Sequence, residues 1–299
     1  MNLIREPLRL LSMVLPLCTP VLTQAATDLA STLSQMLDEA TQGHYVEPTP
    51  AALSTAESLF AAELEALDPQ WLDAQWDALG FERMALRHPE CADCVVIQEQ
   101  PWRREGRGWF LLRPRSSSRI ALQLPHSRKD LDTGAIGVRL AAEHAFLAAA
   151  WNTVRRDQPT GVDGRSADLA HLPHSYFNAL TRALAASGRM DHLVQIHGFA
   201  QSKRRTQAGR RSEVIVSAGA RPASIPARSL SACLRERLSP QTRLYPDEVL
   251  ELGARTNVQG AIVRSTGRSF LHVELNRDLR RRLRHELHLR TQLLDCLPG

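Results

Sequence analysis

The chain has 299 residues and a formal net charge of +5 at pH 7, with only 5% aromatic residues. So few aromatic side chains leave little material for a base-stacking platform, and nucleic acid is not an expected partner. The charge is uneven: residues 27–82 hold eleven Asp or Glu and no Lys or Arg, whereas residues 83–299 hold 35 Lys or Arg against 20 acids, a net of +15. An acidic segment lying against a basic body explains this asymmetry, and attraction of the body to an anionic substrate or envelope surface is the alternative.

The first 25 residues, MNLIREPLRLLSMVLPLCTPVLTQA, have the layout of a secretory signal peptide. A short basic start precedes an apolar stretch that ends in small residues, so cleavage is expected near Ala25. Prolines interrupt the apolar run before it reaches the about 20 residues that a spanning helix needs, and no transmembrane span is expected after cleavage. The sequence predicts a periplasmic or secreted protein. A lipoprotein anchored at Cys18 is a lesser alternative, because LPLC lacks the small residues expected before a lipidated cysteine.

Removal of the signal peptide leaves four cysteines, and an even number in an exported chain predicts disulfides. The economical pairing joins Cys91 to Cys94 and Cys233 to Cys296, because the second bridge would tie the C-terminal helix to the body. A zinc site at CADC is the alternative, but it needs a second close pair of cysteines, and the sequence has none.

Residues 26–90 are predicted to form an acidic helical prefix. Apolar residues recur there at helical spacing up to Leu79, with breaks at VEPTP and LDP, which indicates two or three short helices. Trp71 and Trp76 are expected to anchor a core rather than to contact a ligand.

Strand-like and helical patterns alternate over residues 91–299. Strands are predicted in CVVIQEQ, GWFLLRP, SRIALQLP, HLVQIHGF, EVIVSAG, GAIVRS and FLHVEL. Helices are predicted in TGAIGVRLAAEHAFLAAAWNTV, ADLAHLPHSYFNALTRALAAS, SLSACLRERL and RDLRRRLRHELHLRTQLLDCL. This alternation predicts an α/β fold with a mixed, mostly parallel sheet flanked by helices.

Polar residues stand where three of these strands end, which is where ligands bind in such sheets. His126 and Asp130 follow the third predicted strand, His197 lies at the end of HLVQIHGF, and Glu274 lies in the last strand. Singly, a histidine at a strand end is usually structural. Together, two histidines and one carboxylate are the ligand set of a catalytic zinc that keeps a fourth position open. Glu274 would then be the base that takes a proton from water.

In their order, these residues resemble the zinc carboxypeptidase superfamily, and within it the branch of N-formylglutamate amidohydrolases and succinylglutamate desuccinylase-like enzymes. The resemblance covers roughly residues 122–284. It implies that His126, Asp130 and His197 are zinc ligands and that Glu274 is the general base.

The first metal motif departs from the pattern of that superfamily. There the acid is usually a glutamate three positions after the histidine, whereas here Asp130 stands four positions after His126. Asp is shorter than Glu, so an extra residue can compensate, and Asp132 remains a second candidate for the acidic ligand.

The same family places an arginine between the two metal motifs, where it binds a substrate carboxylate or polarises the scissile carbonyl. Asn152, Arg155 and Arg156 in WNTVRRD occupy that interval. A guanidinium group meets a carboxylate with two parallel hydrogen bonds, which suits this role. For either arginine alone, a solvated helix end is an equal alternative.

Other histidines fit a metal site less well. His171 and His174 are three residues apart and have no evident third ligand, so structural roles are expected. HELH differs from the metalloprotease signature because its histidines, His285 and His288, are three rather than four residues apart.

The sequence therefore predicts an exported zinc-dependent amide hydrolase for a small acylated amino acid or a short peptide end that carries a carboxylate. The main alternative is a non-catalytic envelope protein of the same fold that binds an anionic ligand. A serine hydrolase is poorly supported because no G-x-S-x-G motif occurs.

Overall fold

The structure, a computed structural model, describes residues 28–41, 43–161 and 164–299. The predicted signal peptide and Cys18 lie outside the described residues. The helices are α1 (Leu29–Glu39), α2 (Pro50–Leu64), α3 (Pro69–Leu79), α4 (Thr133–Glu143), α5 (Tyr176–Ala186), α6 (Gln207–Arg211), α7 (Ile225–Arg237), α8 (Val258–Ser265), α9 (Arg277–His285) and α10 (Leu287–Asp295). None of these helices in the described part of the chain is both long and apolar enough to cross a membrane.

The strands form one mixed sheet. They are β1 (Phe81–Ala85), β2 (Val95–Glu99), β3 (Trp109–Leu112), β4 (Ile120–Leu124), β5 (Ala148–Trp151), β6 (His192–Phe199), β7 (Val214–Ser217), β8 (Thr242–Leu244) and β9 (Ser269–Asn276). Their order is β1-β2-β3-β5-β4-β6-β9-β7-β8, in which the central strands β5, β4, β6 and β9 are parallel. The predicted α/β fold with a mixed sheet is confirmed.

The acidic N-terminal segment, for which the spacing predicted two or three short helices, forms three. Asp28, Thr49 and Asp68 cap α1, α2 and α3 by accepting backbone N–H groups, and prolines begin α2 and α3. Trp76 is buried, as expected, whereas Trp71 is 46% exposed. The segment is not only helical, because β1 pairs with β2 at the edge of the sheet.

Two segments differ from the sequence prediction in their secondary structure. The alanine-rich end of the predicted helix at 133–154 forms β5, which is buried between β3 and β4. Alanine favours helices, but here pairing on both sides outweighs that preference. GAIVRS, predicted as a strand from its β-branched residues, lies in α8, whose first turn is capped by Asn257 accepting the Gly260 N–H at 2.7 Å.

The closing helical pattern is also interrupted. It forms α9 and α10 rather than one helix, because Glu286 between them has extended backbone angles.

The central strands β4, β6 and β9 have two unlike faces, because side chains alternate along a strand. On one face, called here the apolar face, the side chains that follow His192 and Ser269 at the strand starts join the core beneath α4, α7 and α9: Leu122, Leu124, Val194, Ile196, Leu271, Val273 and Leu275. The opposite face, called the functional face, is apolar at the start of the strands and polar towards their ends: Ala121 and Gln123 on β4, Leu193, Gln195 and His197 on β6, and Phe270, His272 and Glu274 on β9. The polar end of this face leads to the candidate site.

Two disulfides are present, and they match the predicted pairing. Cys91 is joined to Cys94 with a Cα–Cα distance of 5.4 Å, and Cys233 to Cys296 with a distance of 5.5 Å. The second bridge ties the end of α10 to α7, and the first leaves no free thiolate at CADC for zinc.

Candidate metal centre

Three side chains predicted as metal ligands meet at the carboxyl ends of β4 and β6. His126 Nδ1 lies 3.0 Å from His197 Nδ1 and 3.3 Å from Asp130 Oδ2, and the third side of this triangle, from His197 Nδ1 to Asp130 Oδ2, is 4.0 Å. The turn after β4 brings Asp130 back over the sheet, where it accepts the Gly198 N–H at 2.9 Å. Asp132 points elsewhere and pairs with Arg284 at 2.8 Å. Asp130 is therefore the acid that the fold brings to the histidines.

The hydrogen bonds of the two rings direct their lone pairs inward. His126 Nε2 lies 2.8 Å from Asp168 Oδ1, and His197 Nε2 lies 3.2 Å from Gln195 Oε1. Both partners are acceptors, so a neutral ring carries its proton on Nε2 and presents a bare Nδ1 to the other ring. Two such lone pairs at this separation repel each other unless a metal cation or a proton lies between them.

The triangle has the size that a zinc ion requires. Its three corners lie on a circle with a radius of about 2.0 Å, which matches the Zn–N and Zn–O distances of about 2.0–2.2 Å. The donor set of two imidazoles and one carboxylate also suits zinc. The residues present thus fit the metal that the sequence resemblance implies.

The electrostatics of the two histidines differ. Burial alone would lower the pKa of His126, but its hydrogen bonds to Asp130 and Asp168 and the charges of these carboxylates raise it. Burial, together with the neighbouring rings of His272 and His126, holds the pKa of His197 well below its usual value. The triad therefore attracts one positive charge while His197 keeps a free lone pair.

A buried amide network supports His197 from below. Gln195 Oε1 accepts from His197 Nε2 and, at 2.7 Å, from Asn257 Nδ2. The Gln195 amide group donates to Gln123 Oε1 at 2.9 Å and to Gln259 Oε1 at 3.1 Å. Since every atom of the Gln195 amide is engaged, its oxygen cannot turn away from the ring, and the orientation of His197 is fixed.

Glu274 lies directly beside His197, because the two residues are register partners of β6 and β9. Its carboxyl group is buried and lines the cavity described below, yet Oε2 has no hydrogen-bond partner among the described residues. Burial, followed by the charge of Asp130, raises the pKa of Glu274 to about 8. A buried carboxyl group with an unpaired oxygen is costly, and such groups with shifted pKa values concentrate at functional sites.

His272 completes the functional face beneath Glu274. It lies two residues before Glu274 on β9, and its ring centre is 4.5 Å from that of His197. Its Nε2 is 3.7 Å from Glu274 Oε1, and burial lowers its pKa to about 3. His272 is therefore a neutral ring that packs against a predicted ligand.

A cavity of about 830 Å³ opens over the triad. Its wall contains seven cationic side chains: Lys129, Arg156, Lys203, Arg204, Arg255, Arg277 and Arg280. Only two carboxyl groups, Asp130 and Glu274, share that wall among the described residues. Lys203, Arg255 and Arg277 have no ion pair within the part of the chain that the structure describes. A wall with this excess of positive charge favours an anionic ligand.

Arg156 is the predicted substrate-binding residue that faces the triad. Its Nη1 lies 3.2 Å from His126 Nδ1, and its Nη2 lies 2.9 Å from Asp168 Oδ2. The guanidinium group is thus at the edge of the triad, partly exposed to the cavity.

The other two residues of that predicted trio are not in the cavity wall. Arg155 is exposed and pairs with Asp157 at 3.0 Å. Asn152 is fully buried; its amide donates to Pro125 O at 2.9 Å and its oxygen accepts the Val154 N–H. Asn152 therefore holds the turn that carries His126, and its polar atoms are already used.

Several residues of the site were not identified from the sequence. Gln195 and His272 each stand two positions before an identified residue, so the two-residue period of a strand could have found them. Asp168 comes from a loop distant in sequence, and no local pattern marks it. His171 lines the cavity and lies 3.2 Å from Thr256 O through Nδ1.

No known protein family matches the chain, and no curated protein matches it in sequence. Solved structures show a partial likeness to this chain. A structure named YNDL-apo, zinc-free, is 13% identical and covers 64% of this chain and 75% of its own, with a TM-score of 0.36. A bacteriophage poly-gamma-glutamate hydrolase is 8% identical, with 60% and 81% covered and a TM-score of 0.37. An aspartoacylase family protein from Mesorhizobium loti is 13% identical, with 64% and 62% covered and a TM-score of 0.38. At these scores the likeness is partial, and the function proposed below depends on the geometry of the site itself.

Proposed function

We propose that this protein is an exported, zinc-dependent amide hydrolase that acts on a small acylated amino acid or on the end of a short peptide that carries a carboxylate. One observation carries the proposal. Three inward-facing ligand atoms and one buried carboxyl group with an unpaired oxygen meet at the same edge of the sheet, beneath a cavity lined by cations.

His126, Asp130 and His197 would hold the metal. A zinc ion held there would supply a Lewis acid for the scissile carbonyl and a nucleophilic water at neutral pH. Asp168 and Gln195 accept the outer N–H groups of the two rings, so each ring stays in the tautomer that a metal needs.

Glu274 is the proposed general base. It accepts a proton from the attacking water as the oxygen adds to the amide carbon, and it returns that proton to the nitrogen as the C–N bond breaks. The products are a carboxylic acid and an amine. The burial that raises the pKa of Glu274 also makes its deprotonated form a stronger base than a carboxylate in water.

The cations of the cavity are proposed to bind the anionic part of the substrate. Arg156 is close enough to the triad to donate to the carbonyl oxygen or to a neighbouring carboxylate. Lys203, Arg255 and Arg277, which lack ion pairs within the described ranges, belong to the same wall and would attract a second anionic group. This excess of positive charge also favours the alternative, a non-catalytic protein that binds an anionic ligand.

Export is proposed from the N-terminal sequence pattern, with support from the two disulfides. Cell fractionation and N-terminal sequencing of the purified protein test it. A mature chain that begins close to residue 26 is expected, and a cytoplasmic protein that still begins at residue 1 would contradict export.

The function is tested by metal analysis and by hydrolysis of a defined panel. The protein is purified from an oxidising compartment, its metal is measured by mass spectrometry, and N-acyl amino acids are compared with their carboxamide analogues as matched controls. We expect about one zinc per chain, hydrolysis of the carboxylates only, and loss of turnover on chelation that zinc restores. Zinc-loaded protein that binds the panel without cleaving it would support the non-catalytic alternative, and full turnover in metal-free protein would contradict the proposal.

A further inference from the structure

One arginine contacts the three chain segments that carry Asp130, His197 and Glu274. Arg280 lies in the first turn of α9 and is 5% exposed. Its Nε donates to Leu131 O at 2.7 Å, and its Nη1 donates to Leu275 O, also at 2.7 Å. These two carbonyl groups belong to segments far apart in the sequence, so one planar group joins the turn after β4 to the end of β9.

The third segment is β6. The guanidinium group of Arg280 lies against Gly198, and a β-carbon built at this position would overlap its Nη1 and Cζ atoms. Gly198 is therefore needed because Arg280 occupies the space of its side chain. The same glycine donates its N–H to Asp130 Oδ2, which connects β6 to the turn that Arg280 also holds.

The three contacted residues have a shared position in the sequence. Leu131 directly follows Asp130, Gly198 directly follows His197, and Leu275 directly follows Glu274. We propose that Arg280 is a positioning residue that fixes these three segments, and with them the two ligand-bearing elements and the proposed base, in one arrangement. The role of the site in metal binding and hydrolysis rests on the proposed function, whereas the fixing of the segments does not.

An arginine suits this role for a geometric reason. The guanidinium group is a rigid fork of donors that can reach two carbonyl groups at once, whereas a lysine offers a single nitrogen on a flexible stem. Burying a cation is costly, and burial lowers the pKa of Arg280 while the carboxyl groups of Asp130 and Glu274 act in the opposite direction. A side chain that only filled space would not need a charge here.

The chain offers a matched control in Arg290. This residue of α10 is likewise buried and donates to a backbone carbonyl, Leu283 O, at 2.7 Å, but its ion pair is with Glu143 and it does not line the cavity. Arg290→Met should therefore lower stability as Arg280→Met does, without releasing any segment of the site.

Hydrogen–deuterium exchange of metal-free protein tests the positioning role. We expect Arg280→Met to raise the exchange of residues 126–132 by about tenfold, because opening of this turn becomes easier, while Arg290→Met leaves it unchanged. Gly198→Ala should have the same effect as Arg280→Met, since the methyl group displaces the guanidinium. Arg280→Lys, which keeps the charge and the fold but not the fork, should also raise the exchange.

Titration with Co²⁺, followed by its visible absorption, is the second readout. Loss of a residue that orients metal ligands weakens metal binding by about 10–100-fold, and we expect this of the Arg280 and Gly198 variants, with an altered cobalt spectrum. Arg280 variants that melt earlier but keep parental exchange in residues 126–132 would overturn the proposal. A parent chain that binds no Co²⁺ would contradict the proposed function, while the exchange experiment would still decide the role of Arg280.

Discussion

The two faces of β4, β6 and β9 belong to the same strands but have different tasks. On the apolar face most side chains are hydrocarbons packed into the core, including Val194, Ile196 and Leu271, and only the strand starts carry the polar His192 and Ser269. On the functional face the strands begin with hydrocarbons and end with amides, imidazoles and a carboxyl group. The comparison shows how the strands tolerate a buried polar site. Burial of hydrocarbons on the apolar face stabilises the sheet, and this offsets the desolvation of polar groups on the functional face.

On the functional face, hydrogen bonds offset the desolvation of some buried polar groups but not of others. The amides are engaged with one another, whereas Glu274 Oε2 and His272 Nδ1 are buried without a partner among the described residues. An unpaired buried polar group costs about 1–3 kcal/mol. These two unpaired atoms lie beside the predicted ligands, where a group without a hydrogen-bond partner is available to react.

The largest effect is expected from His197→Ala. The variant should lose its bound zinc while remaining folded, because the residue lies near the end of a strand and the apolar face is untouched. Metal analysis beside circular dichroism measures this, with His192→Ala at the start of the same strand as the control that keeps its zinc. Full zinc in a folded His197→Ala protein would remove this residue from the site.

Glu274→Gln should reduce turnover by about 10²–10⁴ and leave zinc content and substrate affinity nearly unchanged. The amide has almost the same shape but cannot accept and return a proton. Steady-state kinetics per folded molecule measure this, and Glu99→Gln is the control, since Glu99 on β2 is another buried carboxyl, with a pKa raised to about 7 by burial. A Glu274→Gln protein that is less stable but fully active would sink the proposed mechanism.

The apolar face should behave in the opposite way. Leu271→Ala removes a fully buried side chain next to His272 in the sequence, and we expect it to lower the free energy of unfolding by about 2–5 kcal/mol. Denaturant unfolding measures this, and zinc bound per folded chain should be unchanged. Loss of zinc under conditions where the variant is folded would show that the two faces are not independent.

A smaller effect on metal binding is expected from Gln195→Met, which removes the acceptor for His197 Nε2. Zinc affinity should fall by about 10–100-fold, as for other groups that orient metal ligands. The free energy of unfolding should also fall, by about 1–3 kcal/mol, because Asn257 loses its acceptor. Leu193→Met, two residues earlier on the same face, is the control that keeps zinc affinity, and equal affinities in both variants would contradict the role of Gln195.

Local patterns were sufficient for the strands that carry the predicted ligands. HLVQIHGF and FLHVEL alternate or run apolar over strand length, and the structure has β6 and β9 at those positions. The triad could be proposed because parallel strands end at one edge of a sheet, which brings His126 and His197 together without knowledge of the intervening chain.

Features that depend on distant contacts could not be predicted in this way. The alanines of β5 favour a helix by themselves and become a strand only through pairing on both sides. Asp168 reaches His126 from a loop, and Arg280 reaches Leu131 across a long stretch of sequence. Such contacts leave no periodic pattern in the local sequence, because they depend on how distant segments pack in the folded protein.

The bridge between Cys233 and Cys296 closes a covalent ring of chain with a sequence separation of 63 residues. Within that ring lie β9 with Glu274 and α9 with Arg280, whereas His126, Asp130 and His197 lie outside it. In the chain-entropy description, closing a loop of this length removes enough freedom from the unfolded chain to favour the folded state by about 4 kcal/mol. The disulfide thus limits the conformational entropy of the unfolded segment that carries the proposed base and its positioning arginine. Reduction of that bond would increase the conformational entropy of the unfolded segment that contains Glu274 and Arg280. The segments that contain the predicted metal ligands lie outside the ring and would not be affected in this way.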